Sequence, residues 1–312
     1  MRRRYVVIEN GSVGRRHHKN IEMLGAESTL LPWSGLDVCS LQRRLLGAAG
    51  AVIATATDVR LEIVQLCASL DTAVYVEKPL AFLRAGLDSI LKAAKPVIDR
   101  SVAGFMMRNH PAFKTSAQDP LKAFRFRIEI GHDVRQWRQH WSLSDSYVSC
   151  PCGGGAPLDP CHEIDTATWP FPGLELGEVA RIGHLRSPGG DFATRIRLRR
   201  EGLTRDVAMD RLSPKSIRRL SVPGCNGGVD LDPVSGREVR WQGAKEARRD
   251  WKTKHSMMLL NQMPDFMALA EVRKPSGNPL SPPLDLIEDS LALFARAWNA
   301  RRFHVETEWG NT

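Results

Sequence analysis

An α/β half built on a parallel sheet, followed by an α+β half built on a large, mostly antiparallel open sheet, is the fold this 312-residue sequence predicts. Two observations predict it. Up to about residue 105, short β-branched runs alternate with amphipathic helices, the pattern of right-handed strand–helix–strand crossovers. After about residue 120, consecutive stretches alternate polar with apolar residues between Gly, Pro and Asp turns, as strands with one solvated face do. The predicted division is 1–118 and 119–312, with the last helices able to pack back on the first domain.

In the first domain, strands are predicted at 5–9, 28–33, 51–56, 73–77 and 101–105, each an apolar run short enough to be buried in a parallel sheet. Helices are predicted between them at 13–24, 41–46, 58–70 and 85–94, where apolar residues recur at helical spacing. In the second domain, strands are predicted at 121–131, 177–186, 192–200, 204–210, 216–222, 227–231 and 238–243, with many of the arginines on the solvated face. Helices at 256–271 and 283–300 close the chain, and Pro282-Pro283 suits the start of the second.

Composition narrows the function. Apolar residues make up 42% and charged residues 25%, as in an ordinary globular protein. No apolar run reaches the roughly 18 residues a membrane helix needs. The basic start "MRRRYVVIEN" lacks the apolar core and cleavage site of a signal peptide, so the expected location is the cytoplasm. The net charge of +9 favours anionic ligands, a small acidic substrate in particular. Its basic residues are scattered in pairs such as Arg15-Arg16 and Arg199-Arg200, without a nucleic-acid-binding motif, so no nucleic acid is expected. Six cysteines in such a chain are expected to be reduced. Cys150, Cys152, Cys161 and His162 supply soft ligand types, but their spacing is not that of a usual zinc site, and no metal is expected.

Three short motifs carry chemistry. "ENGSVG" joins the first strand to the first helix and comes one residue short of the dinucleotide pattern G-x-G-x-x-G. Gly11 and Gly14 fill its second and third glycine positions, which admit the pyrophosphate and pack helix on strand. Glu9 stands in the first. A carboxylate facing the phosphates at about 6 Å would cost roughly 3 kcal/mol at an effective dielectric near 20. The expectation is that Glu9 turns away and that Arg15 and Arg16 help. At the end of the second strand, "LLPWSG" has no acid to hold a ribose 2′-hydroxyl, while Ser34 could donate to a 2′-phosphate, which favours NADP over NAD. Finally, "VEKPLA" puts Lys78 at the ligand-binding edge of the sheet, where a partly desolvated lysine can pass protons. A surface lysine before a proline is the plainer account of that motif.

Taken together, "NGSVGRRHHKNIEMLGAE", "VEKPLA", "VAGFMMRNHPAFK" and "GGGAPLDPCHEIDTATWPFPG" resemble the glucose–fructose oxidoreductase/inositol dehydrogenase (Gfo/Idh/MocA) family over roughly residues 5–175. The resemblance is to a branch associated with sugar-nucleotide and surface-glycan pathways. It implies a Rossmann domain and NAD(P)-dependent hydride transfer to or from a secondary alcohol of a sugar or cyclitol. Lys78 would be the catalytic lysine and His162 the second acid/base, with Asp159 and Asp165 holding substrate hydroxyls or orienting His162. Gly11, Ser12, Val13, Gly14 and Arg15 would face the pyrophosphate; Thr55, Ala56 and Thr57 would line the nicotinamide ribose. Glu77 and Lys78 would line the ring, Arg108 would approach the cofactor from the next strand, and Trp137, Arg138 and Tyr147 would stand at the substrate mouth. By the same resemblance the protein would form a homodimer or homotetramer through the open sheet.

The chain departs from the family pattern at several positions. Besides Glu9, Ala56 replaces a common proline or asparagine, Arg60 a common histidine and Met106 a frequent asparagine, and Ser142, Leu143 and Ser144 replace "D-Y-R". These departures keep a second function in play, a non-catalytic or cofactor-impaired ligand-binding protein on a dehydrogenase scaffold. For His162 alone, a helix-start histidine paired with Asp165 for structure is the competing account.

Overall fold

The computed structural model describes residues 3–118, 123–133, 136, 161–169, 173–184, 187–274 and 283–307. The chain divides into two compact units, Met1–His110 with Thr253–Ala292, and Pro111–Lys252 with Leu293–Thr312.

The first unit alternates strand and helix: β1 (Arg4–Ile8), α1 (Ser12–Met23), β2 (Glu27–Leu31), α2 (Val38–Leu45), β3 (Gly50–Ile53), α3 (Arg60–Ser69), β4 (Ala73–Val76), α4 (Arg84–Ala94) and β5 (Val102–Ala103). The strands lie in the order β2-β1-β3-β4-β5, all parallel. Every residue of β3 and β4 is buried, because a sheet covered on both faces needs continuous apolar runs rather than alternation. On α1 the buried face runs through Gly14, His17 and Ile21, spaced three and four apart. Two polar residues, His17 and Asn20, are therefore buried on this face of the helix.

The helix α7 (His255–Ala270) completes this core, its Met263, Phe266 and Met267 packing with Tyr5, Val7, Val52 and Tyr75. Phe266 meets Tyr5 and Tyr75 edge-on at 6.1 and 5.7 Å between ring centroids, a favourable aromatic geometry. Gly50 makes room for it, since a Cβ there would lie 2.8 Å from Phe266 Cζ. The Tyr75 hydroxyl donates to Gln262 of the same helix.

The second unit holds α5 (Pro111–Gln118), β6 (Arg125–Gly131), α6 (Cys161–Thr168), β7 (Glu175–His184), β8 (Ser187–Arg200), β9 (Leu203–Asp210), β10 (Ile217–Gly224), β11 (Gly227–Asp232), β12 (Arg237–Gln242), β13 (Lys245–Asp250) and β14 (Arg302–Thr307). The helix α8 (Glu288–Asn299) runs from the end of the first unit into this one. Among the described residues the sheet has nine strands, in the order β13-β12-β11-β10-β6-β9-β8-β7-β14. Only β6/β9 and β7/β14 pair parallel, so the expected mostly antiparallel sheet is present. On β9, Leu203, Arg205, Val207 and Met209 are buried and the residues between them are not. The uncovered face is a chequer of charge: Arg127, Asp206, Arg197 and Glu178 stand opposite one another across β6, β9, β8 and β7. Ion pairs such as Arg195–Asp206 at 2.7 Å and Arg197–Glu178 at 3.5 Å cross it, each exposed and worth little alone.

Four sequence expectations change. The strand expected at 101–105 is only the two residues of β5. The helix expected at 58–70 opens with a 3-10 turn, Thr57–Val59, before α3. The last long helix does not start at the prolines: Pro283 pairs as an extended bridge with Val102, a 3-10 turn follows over Leu284–Leu286, and α8 begins at Glu288. Strands β13 and β14 were not expected. All six residues of β13 are exposed, so it lacks the alternation by which a half-buried strand is recognised.

Candidate cofactor and catalytic site

The order β2-β1-β3-β4-β5 reverses direction between β1 and β3, and ligands of such sheets bind beyond the carboxyl ends of the strands at that switch. Three turns meet this edge in sequence order: Glu9–Gly11 after β1, Ala54–Thr57 after β3, and Glu77–Leu80 after β4. They are tied to neighbouring strands by N–H donation from Glu9 to the Leu31 carbonyl (2.8 Å), Ala54 to Ile8 (3.1 Å) and Glu77 to Ile53 (3.0 Å).

The first turn has the backbone of a dinucleotide loop. Glu9 adopts φ +101°, the left-handed region natural to glycine, at a cost of about 1–3 kcal/mol for any other residue. Gly14 packs so closely under this turn that a Cβ would stand 1.9 Å from the Glu9 carbonyl oxygen. Gly14→Ala is therefore expected to lower stability by about 2–3 kcal/mol, as overpacking against rigid backbone does, a loss that a urea titration would measure. The N-terminus of α1 has no side-chain cap, which leaves its first N–H groups and positive dipole end for a phosphate. These features fit a dinucleotide. The Glu9 side chain does not turn away as expected. Its Cγ and Oε1 lie 3.8 and 3.9 Å from where a Gly11 Cβ would be. The Arg15 Nε donates to the Asn10 carbonyl (2.9 Å) and to Asn10 Oδ1 (3.0 Å) rather than to that carboxylate. Ser12 and Val13 are exposed, and Ser34 lies exposed beyond β2.

Lys78 follows β4, half-buried, and its bond to Pro79 is cis. The backbone on both sides of it is held by Arg60. Arg60 Nη1 donates to the carbonyls of Glu77 (2.5 Å) and Pro79, while its Nε and Nη2 donate to the Thr55 carbonyl at 3.1 and 2.7 Å. One buried guanidinium thus links the turn after β3 to the turn after β4. Thr55 is buried, Thr57 half-buried and Ala56 exposed along that first turn.

Glu77, which precedes Lys78, points inward. Its Oε1 meets His17 Nε2 at 2.6 Å, and its Oε2 accepts the Lys78 backbone N–H at 3.2 Å. The His17 ring packs at 4.9 Å from that of Tyr75. Burial pushes the Glu77 carboxyl up, but the His17 hydrogen bond and the charges of His17, Lys78 and Arg60 outweigh it and hold the group below its ordinary 4.5. A carboxyl depressed by folding stabilises the fold above its unfolded value and loses that contribution as pH falls through the folded one. The stability gap between wild type and Glu77→Gln should accordingly close as urea midpoints are followed from about pH 7 to below pH 4. A gap independent of pH would show that the carboxylate is not the charged partner of His17.

His17 and Arg60 were not among the residues singled out for chemistry. The signal for His17 was a histidine three residues after Gly14 on the buried stripe of α1. Arg108 lies buried in the 3-10 turn Met106–Asn109, its guanidinium 5.8 Å from the Phe105 ring centroid.

In the second unit, α6 is buried along its whole length although it reads Cys-His-Glu-Ile-Asp-Thr-Ala-Thr. Its polar groups are met by other elements: Arg218 of β10 pairs with Glu163 at 3.0 Å, and Arg205 of β9 donates to the Ala167 carbonyl at 2.5 Å. The Thr166 hydroxyl donates to the carbonyl of His162 at 2.6 Å. His162 and Asp165 are both buried on this helix. Asp159, Trp137, Arg138, Tyr147, Cys150 and Cys152 lie outside the described residues. Among the described residues, no group of three His, Cys, Asp or Glu side chains has metal-site geometry, and no helix is long and apolar enough to cross a membrane. A groove of about 670 Å³ on the open sheet face, lined by Arg125, Arg127, Arg195, Arg219 and Arg237 among others, contains none of the residues that the sequence assigns to chemistry.

Solved structures match this chain along nearly its whole length. The UDP-N-acetylglucosamine 3-dehydrogenase GnnA of Acidithiobacillus ferrooxidans superposes with a TM-score of 0.76 at 16% identity, covering 96% of this chain and 98% of that one. The 3-ketoreductase KijD10 of Actinomadura kijaniata, in complex with NADP and TDP-benzene, matches at 0.72 and 15% identity, covering 98% and 100%. An inositol dehydrogenase homologue of Azotobacter vinelandii complexed with NAD+ matches at 0.76 and 11% identity, covering 96% and 95%. No family model matches the sequence, and no curated protein matches it. The chain shares the two-sheet fold of these proteins, as the sequence predicts.

Proposed function

We propose that this protein is an NAD(P)-dependent oxidoreductase that moves a hydride between nicotinamide and a secondary alcohol or ketone of a sugar, sugar nucleotide or cyclitol. The observation that carries the reading is the carboxyl edge of the first sheet. There an uncapped helix N-terminus over Gly14 and a half-buried lysine on an anchored backbone follow β1 and β4 of one sheet. Solved structures of the same fold carry names of sugar-directed dehydrogenases and reductases, which supports the substrate class.

In this reading the N–H groups of Ser12, Val13 and Gly14 hold the pyrophosphate, and Thr55, Ala56, Thr57 and Arg108 hold the nicotinamide half. The absence of an acid in "LLPWSG" at the end of β2, together with Ser34, favours NADP. The nicotinamide supplies the hydride acceptor or donor when bound. Lys78 hydrogen-bonds the reacting oxygen and carries its proton, and His162, oriented with Asp165 and Asp159, is the second acid/base. Trp137, Arg138 and Tyr147 contact the substrate. Mixing with NADPH or NADH tests the reading directly: the cofactor fluorescence should shift, and no change with millimolar cofactor would overturn it.

The Glu9 carboxylate beside Gly11 favours a second reading, a ligand-binding protein whose dinucleotide loop has decayed. It predicts that no sugar substrate turns over even when cofactor binds. A cytoplasmic homodimer or homotetramer paired through the open sheet completes the proposal. The chequered charge of that face predicts that light-scattering mass falls toward the monomer as salt is raised.

A further inference from the structure

We propose that the Glu9 carboxylate is a competitor, built into the chain, for the pyrophosphate of a dinucleotide, so that cofactor binding requires this side chain to turn away. The inference rests on the dinucleotide reading above and deepens it by naming the residue that sets cofactor affinity. The backbone of Glu9 at φ +101° aims its side chain along the turn toward Gly11. There Cγ and Oε1 stand within 4 Å of the position a Gly11 Cβ would take. In such loops the second glycine lacks a Cβ so that phosphate can come up to the backbone. The carboxylate therefore stands on the side from which phosphate approaches. The adjoining end of α1 is uncapped and attracts an anion through its free N–H groups and dipole. The Glu9 carboxylate, which makes no cap hydrogen bond there, puts a negative charge beside that place and repels a second anion. Arg15, the first arginine after Glu9, has its Nε bonded to Asn10 and not to the Glu9 carboxylate. Glu9 is only half-buried, so its side chain has room to rotate when a nucleotide arrives.

The test compares wild type, Glu9→Gln and Glu9→Gly by NADPH fluorescence titration and by the thermal shift that inorganic pyrophosphate produces. Both variants should bind NADPH about ten- to a hundredfold more tightly than wild type, the range expected for one unit-charge repulsion across about 6 Å. The gain should shrink in high salt, and pyrophosphate should raise the melting temperature of the variants more than that of wild type. If wild type binds NADPH and Glu9→Gln binds it equally well, the carboxylate does not compete and the inference fails while the function stands. Tightening in Glu9→Gly alone would assign the effect to backbone conformation and would also overturn it. If none of the three binds NADPH or NADH, this inference and the proposed function fail together.

Discussion

Lys78→Ala removes turnover, by about 10²- to 10⁴-fold as expected for a positioned proton carrier, and leaves dinucleotide affinity essentially unchanged. The split between the two readouts follows from the structure. The groups proposed to hold the pyrophosphate belong to the turn after β1 and to α1, whereas the Lys78 side chain leaves from the turn after β4. The backbone at Lys78 is held from behind, by Arg60 on the flanking carbonyls and by Glu77 on its N–H, and none of these contacts uses the lysine side chain. Truncation to alanine should therefore delete the amine while the backbone turn stays anchored, and circular dichroism should stay near wild type. Full activity in this variant would show that the chemistry has been assigned to the wrong residue.

Arg60→Ala is expected to lower stability by about 3–5 kcal/mol, because buried acceptors that lose a charged donor cannot recover their hydration. Three carbonyls, those of Thr55, Glu77 and Pro79, lose their shared donor at once. The buried Glu77 carboxylate also loses one of the positive charges that keep it ionised. Arg60→Lys should recover little, since an ammonium is a point charge and not a planar fork able to reach several acceptors. Urea midpoints measure the loss, with an unchanged denaturant slope showing that the folded state is otherwise intact. A cost below about 1 kcal/mol would place the guanidinium among surface pairs of small effect.

What the sequence made legible was chemistry confined to a few consecutive residues. Gly11 and Gly14 mark the turn between β1 and α1, and Glu-Lys-Pro the turn after β4, because each motif carries its meaning within six residues. Arg60 read only as a departure from a family pattern. Its role lies in carbonyls 17 and 19 residues further along, and any side chain bonding to backbone leaves no mark on its partners' identities. His17 was hidden in the same way, since its partner Glu77 is 60 residues distant. The orientation of Glu9 depends on one positive φ angle, which residue type alone disfavours and so does not announce. Strand β13 escaped because it buries no face, and β14 because the closing helices were the last elements the periodicity suggested.

The helix α7 has a temporal meaning as well. Met263 and Phe266 close a core whose last strand ends about 150 residues earlier. A ribosome adding roughly 5–20 residues each second needs on the order of ten seconds to bridge that interval. Through that time the nascent sheet carries Tyr5 and Tyr75 without their lid, a greasy surface for chaperones to guard. A fragment ending before residue 255 would keep it bare for good.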